Sequence, residues 1–180
     1  MADGNFLFCD SSAALASRLR EHVPQPTAVV GVGNALRGDD GFGPAVVAAL
    51  EPSDRLFLFN VHAVPESFLV PMVNSGCAGV LFVDAADLGA EPGRVALVPA
   101  EHLGEVDVST HAISLALVAE AIRDLARRES GRRVVCALVG AQPSDLRTAD
   151  RLSPAVRRAV CLTVDGIRAF SAHASLAGSF

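Results

Sequence analysis

Two periods alternate along the chain. Residues 27–32 are a β-rich run that reads as the first core strand, and residues 78–84 are a continuous apolar run, the pattern of a parallel strand covered on both faces. Residues 55–61 alternate about Leu56, Leu58 and Asn60 and predict another strand, as do residues 132–139. Residues 94–99 follow the Glu91-Pro92-Gly93 turn as a further strand, and their short connection suits an antiparallel neighbour better than a crossover. Helical spacing fills the intervals. Leu15 and Leu19 stand at i, i+4 within a short helix over 11–21, which Pro24-Gln25-Pro26 breaks. Residues 41–50 predict a helix with Pro44 in its first turn, and 65–74 a shorter one. A helix over 110–128 takes Ser109 or Thr110 as its cap. Ser153-Pro154 opens a last helix that runs to about residue 172, and the tail beyond is expected to fray.

Strand and helix therefore alternate, which predicts a three-layer α/β/α fold with a twisted, mostly parallel sheet carrying one antiparallel strand. Residues 1–26 read as an N-terminal extension and 27–180 as a single α/β domain. The length of 180 residues suits one domain with a core that needs neither disulfides nor metal to fold. Apolar residues at 51% and charged residues at 19% argue against disorder. The longest apolar runs reach only about eight residues, against roughly 20 for a membrane span, so no membrane insertion is expected. The opening residues lack a positively charged leader, and the expected compartment is the cytoplasm.

Charge narrows the chemistry. The net charge is −5 and no basic run occurs, so nucleic acid is not an expected partner. All basic residues are Arg. Without Lys there is no Walker A lysine, no Schiff base and no Ser–Lys dyad. Cys9, Cys77, Cys136 and Cys161 form no C-x-x-C pair, and the expected role of all four is buried and reduced.

The chemistry-bearing residues cluster at predicted strand ends, the edge at which α/β sheets bind ligands. Gly31-Val32-Gly33-Asn34-Ala35-Leu36 fails as a dinucleotide fingerprint, because Leu36 stands where the third glycine belongs. Adjacent Asp39 and Asp40 would also repel a pyrophosphate. Neither H-E-x-x-H nor G-x-S-x-G occurs, so common zinc and serine protease sites are not signalled. Taken singly, Asp39 and Asp40 read as helix-start caps, Asp84 as a turn former and His111 as a helix-start residue. Taken together, three loops at one sheet edge each offer a metal-competent side chain, and two carboxylates with an imidazole suit a divalent first-row metal.

Gly31-Val32-Gly33-Asn34-Ala35-Leu36-Arg37-Gly38-Asp39-Asp40-Gly41-Phe42-Gly43 resembles the opening motif of the [NiFe]-hydrogenase maturation endopeptidases. The resemblance continues, in the family's order, through Pro65-Glu66, Val83-Asp84-Ala85-Ala86-Asp87-Leu88-Gly89, Ser109-Thr110-His111 and Leu138-Val139-Gly140-Ala141-Gln142-Pro143. Asp-Asp-Gly and Thr-His are most similar to the branch that matures hydrogenase-3-type and coenzyme-F420-reducing enzymes.

The resemblance implies a protease that cuts a short C-terminal peptide from the hydrogenase large-subunit precursor, after a basic residue, once nickel is installed. It implies metal ligation by Asp40, Asp84 and His111, with nickel carried by the substrate and its coordination completed by this protein. Other divalent metals fit the same ligands. Asn34, Gly38, Asp39 and Gly41 are candidates for substrate or supporting contacts, Asp39 being either a supporting partner or a cap. Whether the metal polarises the scissile carbonyl or only tethers the substrate stays open, and no catalytic residue is assigned beyond the metal site. Alternatives are a relative that processes another protein, and a nickel-dependent binding or chaperone module. The family often has Asp-Gly-Gly where this chain has Asn60-Val61-His62, and His62 reads as a surface histidine, as do His22, His102 and His173.

Overall fold

In the computed structural model, which describes residues 5–62, 64–106 and 115–172, every residue of strands β2 (Thr27–Val32) and β4 (Gly79–Ala85) is buried. These apolar runs lie side by side in a six-stranded sheet. Its other strands are β1 (Leu7–Cys9), β3 (Leu56–His62), β5 (Val95–Val98) and β6 (Val135–Ala141), and the order is β1-β5-β6-β4-β2-β3. β5 is antiparallel to both its neighbours while β6, β4, β2 and β3 are mutually parallel, so β5 alone runs against the rest.

The helices are α1 (Ser12–His22), α2 (Phe42–Ala48), α3 (Leu69–Asn74), α4 (Leu115–Ser130) and α5 (Pro154–Ala172). Successive strand residues point to opposite faces. Val30, Phe82 and Leu138 therefore meet Met72, Leu115 and Ile122 of α3 and α4 on one face. Val29, Leu81 and Val139 meet Leu15, Phe42 and Ile167 of α1, α2 and α5 on the other. The result is the expected three layers. Ser153 caps α5, its hydroxyl accepting the Val156 N–H at 3.3 Å, with Pro154 in the first position.

Several expectations change. The segment read as an extension supplies β1, which pairs with β5, and α1, whose buried Leu15 and Leu19 pack in the same core as α5. Gly166 of α5 permits that contact, since an added Cβ would lie 2.8 Å from Leu15 Cδ2. β5 is antiparallel but is not beside β4: β6 lies between them, and residues 86–94 are long enough to cross two strand spacings of roughly 5 Å each. Residues 65–74 divide into a tight turn at Pro65–Phe68 and α3. Cys9, Cys77 and Cys136 are buried, but Cys161 is exposed on α5. The predicted cap at Ser109 or Thr110 and the tail over 173–180 lie outside the described residues. Among those described, no helix is long and apolar enough to cross a membrane.

The topology singles out one crevice. From β2 the chain crosses through α2 to β3 on one side, then returns through α3 to β4 on the other. The C-terminal ends of β2 and β4 thus flank the point where strand order reverses, the usual ligand position in such sheets. α2 sits directly on that point. A Cβ at Gly43 would lie 2.2 Å from the Val83 carbonyl oxygen and 2.3 Å from that of Val32. Gly31 answers it from the strand, its added Cβ falling 2.6 Å from the Gly43 carbonyl oxygen. Gly43→Ala must lift α2 off backbone atoms that cannot rotate away. The expected loss is about 2–3 kcal/mol by urea unfolding. Gly104, with nothing within 4 Å of its added Cβ, is the control, and Gly104→Ala should change stability by less than about 0.5 kcal/mol.

Candidate functional site

The loop from Gly33 to Gly41 turns inside the crevice. Gly33 has φ +126°, and its N–H donates to the His62 carbonyl at 2.9 Å. A Cβ there would sit 1.9 Å from the Asp40 carbonyl oxygen and 3.5 Å from Asp84 Oδ1, so both acidic residues close on one glycine. Asn34 builds the turn from two sides. Its side-chain oxygen accepts the Leu36 N–H at 2.9 Å, and its own N–H donates to Asp40 Oδ2 at 2.9 Å. Residues Gly38–Gly41 form a single tight helical turn ahead of α2.

Within that turn the adjacent aspartates diverge. Asp40 faces the crevice with 1% exposure, and Asp84, at the end of β4, is fully buried beside it. Burial first, and then the charge of Asp40, push the Asp84 carboxyl well above the usual carboxylate range, with the Ala85 backbone N–H working the other way. Two buried carboxylates held together destabilise the apoprotein, and they form an oxygen-donor pair that a divalent cation would relieve. Asp40 and Asp84 are thus brought together in the crevice. His111 lies outside the described residues, and among those described no three metal-competent side chains cluster.

Asp39 turns the other way. Its Oδ2 accepts the N–H groups of Ser144 at 2.8 Å and Asp145 at 3.0 Å, and its Oδ1 accepts that of Ser153 at 2.7 Å. The carboxylate is 1% exposed. It caps no turn of its own; it ties the β6–α5 connection to the β2–α2 loop. Main-chain bonds lace the same pair: Ala149 N–H to Leu36, Gly38 N–H to Ala149, and Asp39 N–H to Asp145, at 2.9–3.1 Å. Gly38 has φ +55°, and an added Cβ would meet the Asp145 carbonyl oxygen at 2.7 Å. Gly41 packs closely on Ala35, its added Cβ lying 3.2 Å from the Ala35 Cα. Of the four supporting candidates, all build the loop that carries Asp40.

Two features were not legible. Gln142, quoted only as part of a motif, holds the loop after Asp84: its side-chain oxygen accepts the N–H groups of Leu88 at 2.7 Å and Ala90 at 3.3 Å. Residues 144–153 show no periodic pattern, yet they wall a cleft of about 370 Å³ beside Asp39. His62 is exposed but borders a second cleft, of about 360 Å³, on the other side of the loop. His102 pairs with Glu105 at 2.9 Å at the surface and holds that carboxyl below its ordinary range.

Asp39 and Asp84 should respond in opposite senses. In Asp39→Asn the amide can keep two of the three bonds but turns a donor toward the Ser153 N–H, and the expected cost is about 2–3 kcal/mol. Asp84→Asn should raise the unfolding temperature of the chelator-treated protein. A raised folded-state pKa means that the Asp84 contribution is fully favourable below the unfolded pKa and is lost as pH rises through the folded value. The advantage of Asn should therefore vanish at acid pH and grow above the ordinary carboxylate range. Calorimetry across pH checks both variants.

Comparison with known proteins places this arrangement. The family model described as hydrogenase maturation protease matches residues 46–169, more than two thirds of the chain. The hydrogenase expression/formation protein HupD of Bradyrhizobium diazoefficiens is 32% identical over 154 residues, covering 76% of this chain and 73% of that protein. The hydrogenase 3 maturation protease of Escherichia coli K12 is 30% identical over 81 residues, 44% of this chain and 52% of that one. Among solved structures, the [NiFe] hydrogenase maturation protease HycI of Thermococcus kodakarensis superposes with a TM-score of 0.68 at 27% identity, covering 86% of this chain and 96% of that chain. With the sheet, the crevice loop and these relatives in agreement, the chain belongs to the hydrogenase maturation protease family and is a peptidase.

Proposed function

We propose that this peptidase removes the C-terminal extension of a [NiFe]-hydrogenase large-subunit precursor after nickel insertion, in the cytoplasm. The observation that carries the reading is the pair of buried carboxylates, Asp40 and Asp84, at the strand-order reversal of a chain in this family. Nickel is cargo of the precursor, and Asp40, Asp84 and His111 are the residues of this chain that would complete its coordination. The donor set fits: two carboxylates and an imidazole are borderline ligands, and the mutual repulsion of the acids is relieved by a cation. Bound there, the metal supplies polarisation of the scissile carbonyl or a fixed anchor for the precursor.

The protein's own work is positioning. Asn34 N–H holds Asp40, Gln142 holds the loop after Asp84, and Asp39 keeps the β6–α5 connection against the site. Hydrolysis then adds the oxygen of water to the scissile carbonyl carbon. The C–N bond breaks, and the amine of the released extension takes a proton. Recognition of inserted nickel confines this step to precursors whose site is filled.

The test is cleavage of nickel-loaded and nickel-free precursor, followed by the mass of the product. Wild type should shorten only the loaded form. His111→Ala and Asp40→Ala should abolish processing while circular dichroism stays unchanged, since a single side-chain truncation leaves the sheet and its two helix layers in place. Equal cleavage of both precursors would refute nickel gating, and full activity in His111→Ala would remove that residue from the site.

A further inference from the structure

Leu36 is 67% exposed, more than any other large apolar residue among those described. Single exposed leucines are ordinary on protein surfaces. This one differs in what carries it. Its N–H donates to the Asn34 side-chain oxygen at 2.9 Å, and its carbonyl accepts the Ala149 N–H at 3.1 Å. On its C-terminal side, the Arg37 N–H donates to the Asn34 carbonyl at 3.0 Å, and the Arg37 carbonyl accepts the Asp40 N–H at 3.2 Å. None of these bonds uses the leucine side chain. The loop keeps its shape without that side chain, and the pinned backbone holds it at the surface.

The same loop holds an acid of the site. Asn34 joins the two, since its own N–H donates to Asp40 Oδ2 at 2.9 Å while its side-chain oxygen takes the Leu36 N–H. The carboxylate is buried on the crevice side of the turn, and the leucine is exposed on the other. Two more exposed apolar side chains, Val70 and Leu117, stand near the starts of α3 and α4. Both helices run back from the C-terminal edge of the parallel strands, so these residues lie at the edge that holds Asp40 and Asp84. Val135 opens β6 at the opposite edge and is only 38% exposed. A precursor whose nickel reaches Asp40 must bring the protein surface around that nickel down over the loop, and it covers Leu36 in doing so. An apolar group on a fixed backbone loses little freedom on binding, so its burial is expressed as affinity.

We propose that Leu36 is a docking residue for the folded large-subunit precursor, its side chain entering an apolar recess on the precursor surface beside the nickel site. The assignment rests on the function proposed above. The contact adds affinity and takes no part in bond cleavage, because an isobutyl group offers neither a proton nor a lone pair.

Leu36→Ser removes the apolar group and leaves the main-chain bonds in place. Leu36→Met restores an apolar side chain of similar volume. Val135→Ser is the control for loss of an apolar group at the far edge of the sheet. Steady-state cleavage of nickel-loaded precursor should show KM raised about tenfold in Leu36→Ser, with kcat within twofold of wild type. Leu36→Met should return KM to within about threefold of wild type, and Val135→Ser should leave it unchanged. The unfolding temperature of Leu36→Ser should match that of wild type. An unchanged KM in Leu36→Ser overturns the assignment, as does a fall in kcat alone or a KM that Leu36→Met fails to restore. An unfolding temperature that falls together with the affinity would assign the side chain to the stability of its own loop instead. If wild type binds the precursor without cleaving it, the function proposed above fails by itself. Calorimetric affinities of the same variants for that precursor then decide the docking role: a weakened Leu36→Ser supports it, and an unchanged one ends it. Absence of binding by wild type ends it as well.

Discussion

The seat of α2 on the sheet is the contact on which the site depends. Helices ordinarily stand off a sheet by the thickness of their side chains. Here Gly43 and Gly31 remove that thickness, and the helix backbone meets the carbonyl oxygens of Val32 and Val83 directly. The loop that joins β2 to α2 must therefore turn within the crevice instead of arching over it. That is why Gly33 needs its positive φ, and why Asp40 ends up against the last residues of β4.

Two adjacent aspartates follow from the same compression. In the tight turn over Gly38–Gly41, consecutive side chains leave in different directions. Asp39 collects three N–H donors from the β6–α5 connection, while Asp40 is placed beside a second buried carboxylate. The first arrangement is stabilising and the second is not. A protein that holds two acidic side chains together in a low-dielectric crevice needs a compensating tie nearby, and Asp39 with its laced loop supplies it. Strain at His62 belongs to the same account: the β3 end is bent to receive the Gly33 N–H.

Much of this was legible in the sequence. The β-rich run of β2 announced a core strand, the unbroken apolar run of β4 announced a parallel strand buried on both faces, and Ser153-Pro154 announced the start of α5. Asp40 and Asp84 could be placed together because strand ends share one edge of an α/β sheet. The role of Asp39 could not be read, because its partners are backbone N–H groups more than 100 positions away, in a segment without periodicity. The place of β5 was hidden for a similar reason. Local pattern gives a strand its direction relative to a turn, but here a later strand, β6, inserts between β4 and β5. The first helix was visible in Leu15 and Leu19, but its union with α5 depends on Gly166, a residue that carries no local signal of contact.

The central claim is that this chain contributes ligands to nickel that arrives with the substrate. Nickel K-edge X-ray absorption on the loaded precursor, before and after one equivalent of the peptidase is added, measures that directly. Chilled, freshly mixed samples keep the complex ahead of turnover. The account predicts added oxygen and nitrogen neighbours around nickel on mixing, and no such change with the Asp40→Ala variant at equal occupancy. An unaltered nickel environment in a complex shown to have formed with wild type would contradict it.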